Sequence, residues 1–154
     1  MSICVYCRVK EKKLNHKIIE SAIEKFHFFE NKIIKQVDKQ CVTYESEGTG
    51  EDSISFISEK TFPYNVYDSN IIEEYIYKQL LIFNIEKEQA SKDRYEKIIG
   101  FCICLRRQVN SDMLLTSDVY DDICLLEENN IVWSNTFPFK NDVQSYKTKH
   151  IEFA

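Results

Sequence analysis

Two cysteines near the start of the chain, Cys4 and Cys7, have the C-x-x-C spacing of zinc knuckles and of redox-active thiol pairs. The surrounding residues, Ser2 to Val9, alternate and are rich in β-branched and aromatic types, which predicts a strand inside a sheet. Residues three apart in a strand point to opposite faces, so these thiols could share one metal ion only if the chain turned sharply. We interpret both as core thiols and keep a metal site and a redox pair as alternatives.

The remaining cysteine and histidine residues indicate no catalytic or metal centre. Cys102 and Cys104 fall in a predicted buried strand, about 7 Å apart on one face, which is loose for a shared tetrahedral ion. His16 and His27 belong to one predicted helix, about 16 Å apart along its axis, so they cannot act on one small centre. We therefore assign no catalytic, metal or cofactor-binding residue. The alternative is a small enzyme whose site is assembled from residues distant in sequence.

Composition excludes several classes of function. The only glycines, Gly48, Gly50 and Gly100, match neither G-x-x-x-x-G-K-[ST] nor G-x-G-x-x-G, so the common nucleotide-binding loops are absent. A formal net charge of -5 has the wrong sign for a general nucleic-acid binder. No apolar run approaches the roughly 18 residues of a membrane-spanning helix. We expect a cytoplasmic protein with reduced thiols, without a membrane or nucleic-acid partner.

Negative charge is concentrated in two stretches. Residues 108–139 contain six carboxylates and no Lys, Arg or His, together with large aromatic residues, and a predicted turn near residues 45–52 is also acidic. Carboxylates beside aromatic rings are what a protein presents to a basic partner. If the stretches are neighbours, they form one negative face; otherwise the rings are core residues and the acids are ordinary solvated charges. The candidate partner-binding residues are Glu45, Glu47, Glu51, Asp52, Asp118, Tyr120, Asp121, Asp122, Glu127, Glu128 and Trp133.

The elements that must position these residues form one predicted domain, residues 1–154. A helix follows the first strand, with Asn15 as its N-cap, and the segments 41–45 and 53–58 read as a hairpin. We expect a second helix from about residue 68 to 83 and a buried strand over 97–108. Residues 117–128 fit either a strand or a helix; we favour a hairpin turning at Asn129-Asn130. The predicted class is α+β: a mostly antiparallel sheet of about five to seven strands with two main helices on one face.

In size, acidic charge, α+β order and lack of a catalytic motif, the chain resembles the immunity proteins that protect bacteria from their own antibacterial toxins, including those of contact-dependent growth inhibition. The resemblance rests on no shared motif, so it assigns no residue. It implies a non-catalytic protein that neutralises a cognate toxin in the cytoplasm, with a basic partner such as a nuclease domain. We expect charge reversal at Asp121, Asp122, Glu127 and Glu128 to weaken partner binding without loss of thermal stability. A domain that self-associates through a sheet edge is the other alternative.

Overall fold

The architecture is known from a computed structural model, which describes residues 2–29, 32–47, 52–86 and 92–140. Within these ranges, two helices and ten strands follow one another in the order β1, α1, β2 to β7, α2, β8 to β10. The helices are α1 (His16–Phe26) and α2 (Lys92–Gln108). The strands are β1 (Ser2–Val9), β2 (Ile33–Asp38), β3 (Cys41–Ser46), β4 (Ser53–Ile57), β5 (Val66–Ser69), β6 (Glu73–Ile76), β7 (Gln79–Glu86), β8 (Met113–Ser117), β9 (Asp121–Leu126) and β10 (Ile131–Trp133).

Eight of the strands form one sheet in the order β10-β9-β8-β1-β7-β4-β3-β2, and every neighbouring pair is antiparallel. The first strand of the chain lies in the middle of the sheet, between β7 and β8, as predicted. The α+β class with a mostly antiparallel sheet is confirmed, although this sheet has eight strands where five to seven were expected. Strands β5 and β6 form a separate two-stranded sheet.

Both helices pack on one face of the large sheet, where they share a core with alternate residues of the strands. Ile19 and Ile23 of α1 and Ile98 and Phe101 of α2 are buried there. The predicted cap of α1 is confirmed, because the Asn15 side chain accepts a hydrogen bond from the Ile18 N–H at 3.0 Å. Among the described residues, neither helix is long and apolar enough to cross a membrane.

The opposite face of the sheet is covered by the two-stranded hairpin β5–β6. A second apolar cluster lies between them and is built on Tyr75, Tyr77, Leu80, Leu114 and Leu125. The Arg8 guanidinium lies within 4.2 to 5.1 Å of the ring centres of three tyrosines, Tyr6, Tyr67 and Tyr77. The hairpin is therefore fixed to the sheet by aromatic packing as well as by hydrogen bonds.

Two predicted elements are wrong, and they exchange types. The segment predicted as the second helix, 68–83, contains the end of β5, then β6 and most of β7. The segment predicted as a buried strand, 97–108, lies inside α2. Two other predictions are confirmed: β3 and β4 pair as a hairpin, and Asn129-Asn130 lie in the turn between the paired strands β9 and β10. The glycine-containing turn of the first hairpin lies outside the described residues.

Candidate functional site

The Cys4-x-x-Cys7 spacing does not form a site. Both residues lie in β1, and their side chains project to opposite faces of the sheet, as expected for residues three apart. Cys7 is buried on the helix side, in the same apolar cluster as Cys102 and Cys124. Burial, reinforced by these neighbouring thiols, raises the pKa of Cys102 and of Cys124, so both stay protonated. Over the described ranges, no three His, Cys, Asp or Glu side chains are arranged to hold a metal ion.

Cys4 is the half-buried member of the pair and is the better candidate for a nucleophile. Its thiol donates to the Asn84 side-chain oxygen at 3.5 Å. Burial raises the pKa of Cys4; a hydrogen bond with Tyr6 acts in the opposite direction, and the Asp118 carboxylate raises it further. An activated cysteine needs the reverse, a lowered pKa. The environment of Cys4 therefore favours an inert thiol.

The acidic stretch at residues 45–52 lies near one edge of the large sheet. Glu45 is half-buried in β3, and Glu47 follows that strand on the surface. Asp52 forms an ion pair with Arg94 of α2, so its charge is already matched inside the protein. Glu51 lies outside the described residues.

The exposed candidate acids of the stretch at residues 108–139 are divided between the two ends of β9. Asp118 and Asp121 are exposed at the β8–β9 turn, where the Asp118 carboxylate accepts a hydrogen bond from the Cys4 N–H at 2.9 Å. Glu127 and Glu128 lie in the β9–β10 turn, about 20 Å away along the strand. Proximity in sequence does not make these four carboxylates one surface.

Asp122 is buried, and its prediction as an exposed partner-binding acid is wrong. Its carboxylate faces the β5–β6 hairpin and accepts a hydrogen bond from the Ser69 hydroxyl at 2.9 Å, and others from the N–H groups of Asn70 and Ile71. It therefore accepts hydrogen bonds from polar groups of the hairpin turn and does not face solvent. Charge reversal at this position would disrupt the fold, contrary to the expectation from the sequence.

The two aromatic candidates belong to the core, which was the alternative interpretation. Tyr120 is half-buried, and its ring centre lies 5.4 Å from that of Tyr95 and 5.7 Å from that of Phe137. Trp133 is also half-buried and stacks on Phe137 at 6.0 Å. Both side chains pack against the main apolar cluster. Neither is free to act as an exposed anchor.

The structure also separates the two acidic stretches from each other. Four strands lie between β9 and β3 in the sheet order, a distance of about 24 Å at the usual strand spacing. The two acidic stretches are therefore not neighbours on the sheet and do not form one negative face.

A different surface combines exposed rings with unmatched acids. Phe62 and Tyr64 are 80% and 72% exposed, in the turn that leads into β5. That turn is bound to the end of β6, because the Tyr77 N–H donates to the Asn65 carbonyl at 2.9 Å. Ile76, at that end of β6, is 54% exposed. We call this surface the hairpin face and define it by Phe62, Tyr64, Val66, Asp68, Glu74 and Ile76.

The alternation of the hairpin strands explains which side chains reach this face. Tyr67 and Tyr75 are directly opposite each other and pack inward on the sheet. Residues on either side of them in the strands consequently point outward, and Val66 is paired with Ile76, and Asp68 with Glu74.

The electrostatics of the hairpin face are unbalanced. Asp68 and Glu74 are exposed and lie directly opposite each other, an arrangement in which like charges destabilise a strand pair. Glu73 adds a third exposed carboxylate next to them. None of the three forms an ion pair with any residue in the described part of the chain. Lys60 is the nearby cation, with its ammonium 5.8 Å from the Tyr64 ring centre.

The hairpin face is hard to predict from sequence because residues 68–83, which include its second half, have the spacing of a helix. The helical spacing of Ile72, Ile76 and Leu80 favours a helix, whereas the outward position of Ile76 follows from the period of two in β6. The available signal was the T-F-P-Y segment, in which two aromatic residues flank a proline that favours a turn.

Comparisons with protein-family models, curated proteins and solved structures give no match to this chain. Its function is therefore argued from the geometry of its own residues.

Proposed function

We propose that this protein is a non-catalytic binding module that docks on a basic protein through the hairpin face. The observation that carries the proposal is the pairing of Asp68 with Glu74 on the hairpin whose entry turn carries the exposed rings of Phe62 and Tyr64. Two carboxylates held opposite each other repel. A cationic group of a partner would be attracted to both carboxylates and would offset their repulsion.

The aromatic side chains would supply the binding energy that charge alone does not. Surface ion pairs contribute little, whereas aromatic rings that become buried at the centre of an interface are typical hot spots. Phe62 and Tyr64 lie in the turn that is hydrogen-bonded to the end of β6, where Val66 pairs with Ile76, so docking there would bury several apolar side chains. The carboxylates would then form a polar rim that steers the partner and fixes its orientation.

The class of partner follows from the resemblance to bacterial immunity proteins. A small acidic α+β protein of that kind would act in the cytoplasm by covering the active site or the basic substrate groove of a cognate antibacterial toxin. A nuclease domain fits this description, because a groove that binds phosphates is rich in Lys and Arg. The proposal moves the contact from the acidic stretches of the sequence to the hairpin face.

The test is calorimetric titration of the purified protein with the catalytic domain encoded by the neighbouring gene. We expect tight binding that weakens as the salt concentration rises. The double variants Phe62→Ala/Tyr64→Ala and Asp68→Lys/Glu74→Lys should each weaken binding at least tenfold.

The matched control is Glu47→Lys/Glu128→Lys, which reverses two exposed acids outside the hairpin face and should leave the affinity unchanged. Loss of binding in the control but not in the hairpin variants would show that the wrong surface was chosen. A metabolic enzyme as the neighbouring gene product, with no interaction, would remove the immunity proposal altogether.

A further inference from the structure

Among the described residues, nothing pairs with the outer edge of β2, so one edge of the large sheet is open there. Strand β2 is the last strand in the sheet order and pairs with β3 alone among the described strands. All six of its residues are exposed, so neither helix covers it. An open strand edge is a template for pairing with another chain.

The hydrogen-bonding pattern shows which groups face outward. The Glu47 N–H donates to the Lys32 carbonyl at 2.8 Å, directly before the strand begins. Bonds between antiparallel strands recur at every second residue, so Ile34, Gln36 and Asp38 also bond to β3. The N–H and C=O groups of Ile33, Lys35 and Val37 consequently point away from the sheet.

The side chains of these three residues lie on the helix side of the sheet and form a simple pattern. Ile33 is 39% exposed and Val37 is 71% exposed, with Lys35 between them. The Lys35 ammonium reaches the Glu20 carboxylate of α1 at 3.4 Å, but both side chains are well exposed, so this pair is weak. Lys35 can therefore exchange its partner at little cost.

A second copy of the chain fits this edge poorly. In an antiparallel pair, outward-facing residues must lie opposite outward-facing residues. The twofold register that pairs the whole strand puts Lys35 opposite its own copy, and like charges directly opposite are destabilising. A register centred on Gln36 puts Ile34 opposite Asp38 and leaves Ile33 outside the paired strand.

We infer that β2 binds an extended segment of a partner protein, which adds to the sheet as an antiparallel ninth strand. The fitting segment has the pattern apolar-x-acidic-x-apolar, with its carboxylate opposite Lys35 and its apolar residues opposite Ile33 and Val37. Charge supports an acidic segment, since residues 32–39 contain Lys32, Lys35 and Lys39 against the single Asp38. Main-chain hydrogen bonds would provide the affinity and the alternate side chains the specificity. This inference is independent of the hairpin face.

The test uses a synthetic heptapeptide, Thr-Val-Thr-Glu-Thr-Val-Thr, and a control peptide with Lys in place of Glu. Added to the isotope-labelled protein, the Glu peptide should shift the amide signals of Ile33, Lys35 and Val37 and slow their hydrogen exchange at least tenfold. The control peptide should bind at least fivefold more weakly. Shifts elsewhere, or none at this edge, would overturn the inference.

Two variants define the site. Val37→Pro removes an outward N–H without removing a bond to β3, and it should weaken the Glu peptide at least tenfold. Lys35→Glu should reverse the preference in favour of the Lys peptide, a result that needs no comparison of stability. Binding of the toxin domain at the hairpin face should be unaffected by either variant.

Analytical ultracentrifugation tests whether a second copy of the chain occupies the β2 edge instead. We expect the free protein to be a monomer at all accessible concentrations. A dimer that Val37→Pro converts to a monomer would overturn the inference in favour of a second copy.

Discussion

The carboxylate of Asp122, in the large sheet, accepts a hydrogen bond from the hydroxyl of Ser69, at the end of the first strand of the small hairpin. The same carboxylate oxygen accepts from the backbone of the two residues that follow Ser69. The Ser69 hydroxyl in turn accepts from the Ile71 N–H at 3.0 Å. One buried acid thus organises the turn of the element that presents the proposed binding surface.

We expect Asp122→Ala to destabilise the protein by about 3 kcal/mol, because the hydroxyl and two N–H groups lose a charged acceptor in a buried place. The midpoint of urea denaturation should fall, while the slope of the unfolding free energy against urea concentration (the m-value) should stay the same. The exposed neighbour Asp121 provides the control; its φ of 56° is one that asparagine tolerates, so Asp121→Asn should change stability by less than about 1 kcal/mol. A wild-type midpoint for Asp122→Ala would mean that the hairpin is held by packing alone.

The fold class and the first and last elements of the chain were predictable. In those parts of the chain the local sequence signals agreed with the tertiary structure. Asn15 lies before an amphipathic segment, and α1 begins directly after it. The alternation of β1 and the asparagine pair at the β9–β10 turn are similarly local signals.

The exchanged elements show where local signals fail. Helix α2 lies on the sheet, contacts α1, and is covered by the rings that pack on Tyr95, such as Phe137 at 5.8 Å. Ten of its residues are buried, so it has no clear polar face and resembles a buried strand in sequence. Conversely, Ile72, Tyr75, Ile76 and Leu80 happen to have helical spacing in a segment that forms strands.

The candidate site was only partly predictable for the same reason. An acidic, aromatic surface was predicted within residues 45–52 and 108–139, whereas the hairpin face is built from residues 62–76. Which acids are exposed depends on non-local contacts: Asp122 meets a turn 53 residues away and Asp52 meets Arg94. No spacing within the sequence indicates either pairing.

Gln79 provides a second test of a buried polar contact. Its side-chain amide accepts from the Leu14 N–H and donates to the Leu14 carbonyl, both at 2.9 Å, and it also donates to the Ser58 carbonyl. It thereby joins the segment before α1 to the sheet. We expect Gln79→Leu to cost about 3 kcal/mol, since the Leu14 backbone would remain buried without partners. Chemical denaturation measures this, with the exposed Gln108→Leu as the matched control; equal stability of the two variants would contradict the assignment.

Alkaline pH should destabilise the fold through its tyrosines. Burial, with the nearby Cys4 and Asp118 groups, raises the pKa of Tyr6 to about 12. Burial and the Glu20 carboxylate raise the pKa of Tyr44 as well. An unfolded tyrosine ionises near pH 10, so above that pH the unfolded chain holds fewer protons than the native protein. The stabilisation is fully present below about pH 10 and is lost as the pH rises through the native pKa values.

Urea midpoints measured from pH 8 to pH 11.5 should therefore fall steeply beyond pH 10, together with a late rise in phenolate absorbance. Tyr44→Phe removes one of these groups and should make the decline shallower. A flat profile, or a decline that is complete by pH 9, would be inconsistent with buried phenols.

The reactivity of the thiols separates core cysteines from a redox or metal site. Cys41 and Cys4 are half-buried, whereas Cys7, Cys102, Cys104 and Cys124 are buried. Burial also raises the pKa of Cys102, Cys104 and Cys124, which further lowers the population of reactive thiolate. With iodoacetamide at pH 8, peptide mapping should find Cys41 labelled first, Cys4 more slowly, and the buried four only after denaturation in guanidinium, when all six react. Rapid labelling of Cys102 in the native protein would refute the core assignment and reopen the question of thiol chemistry at the interface between β1 and α2.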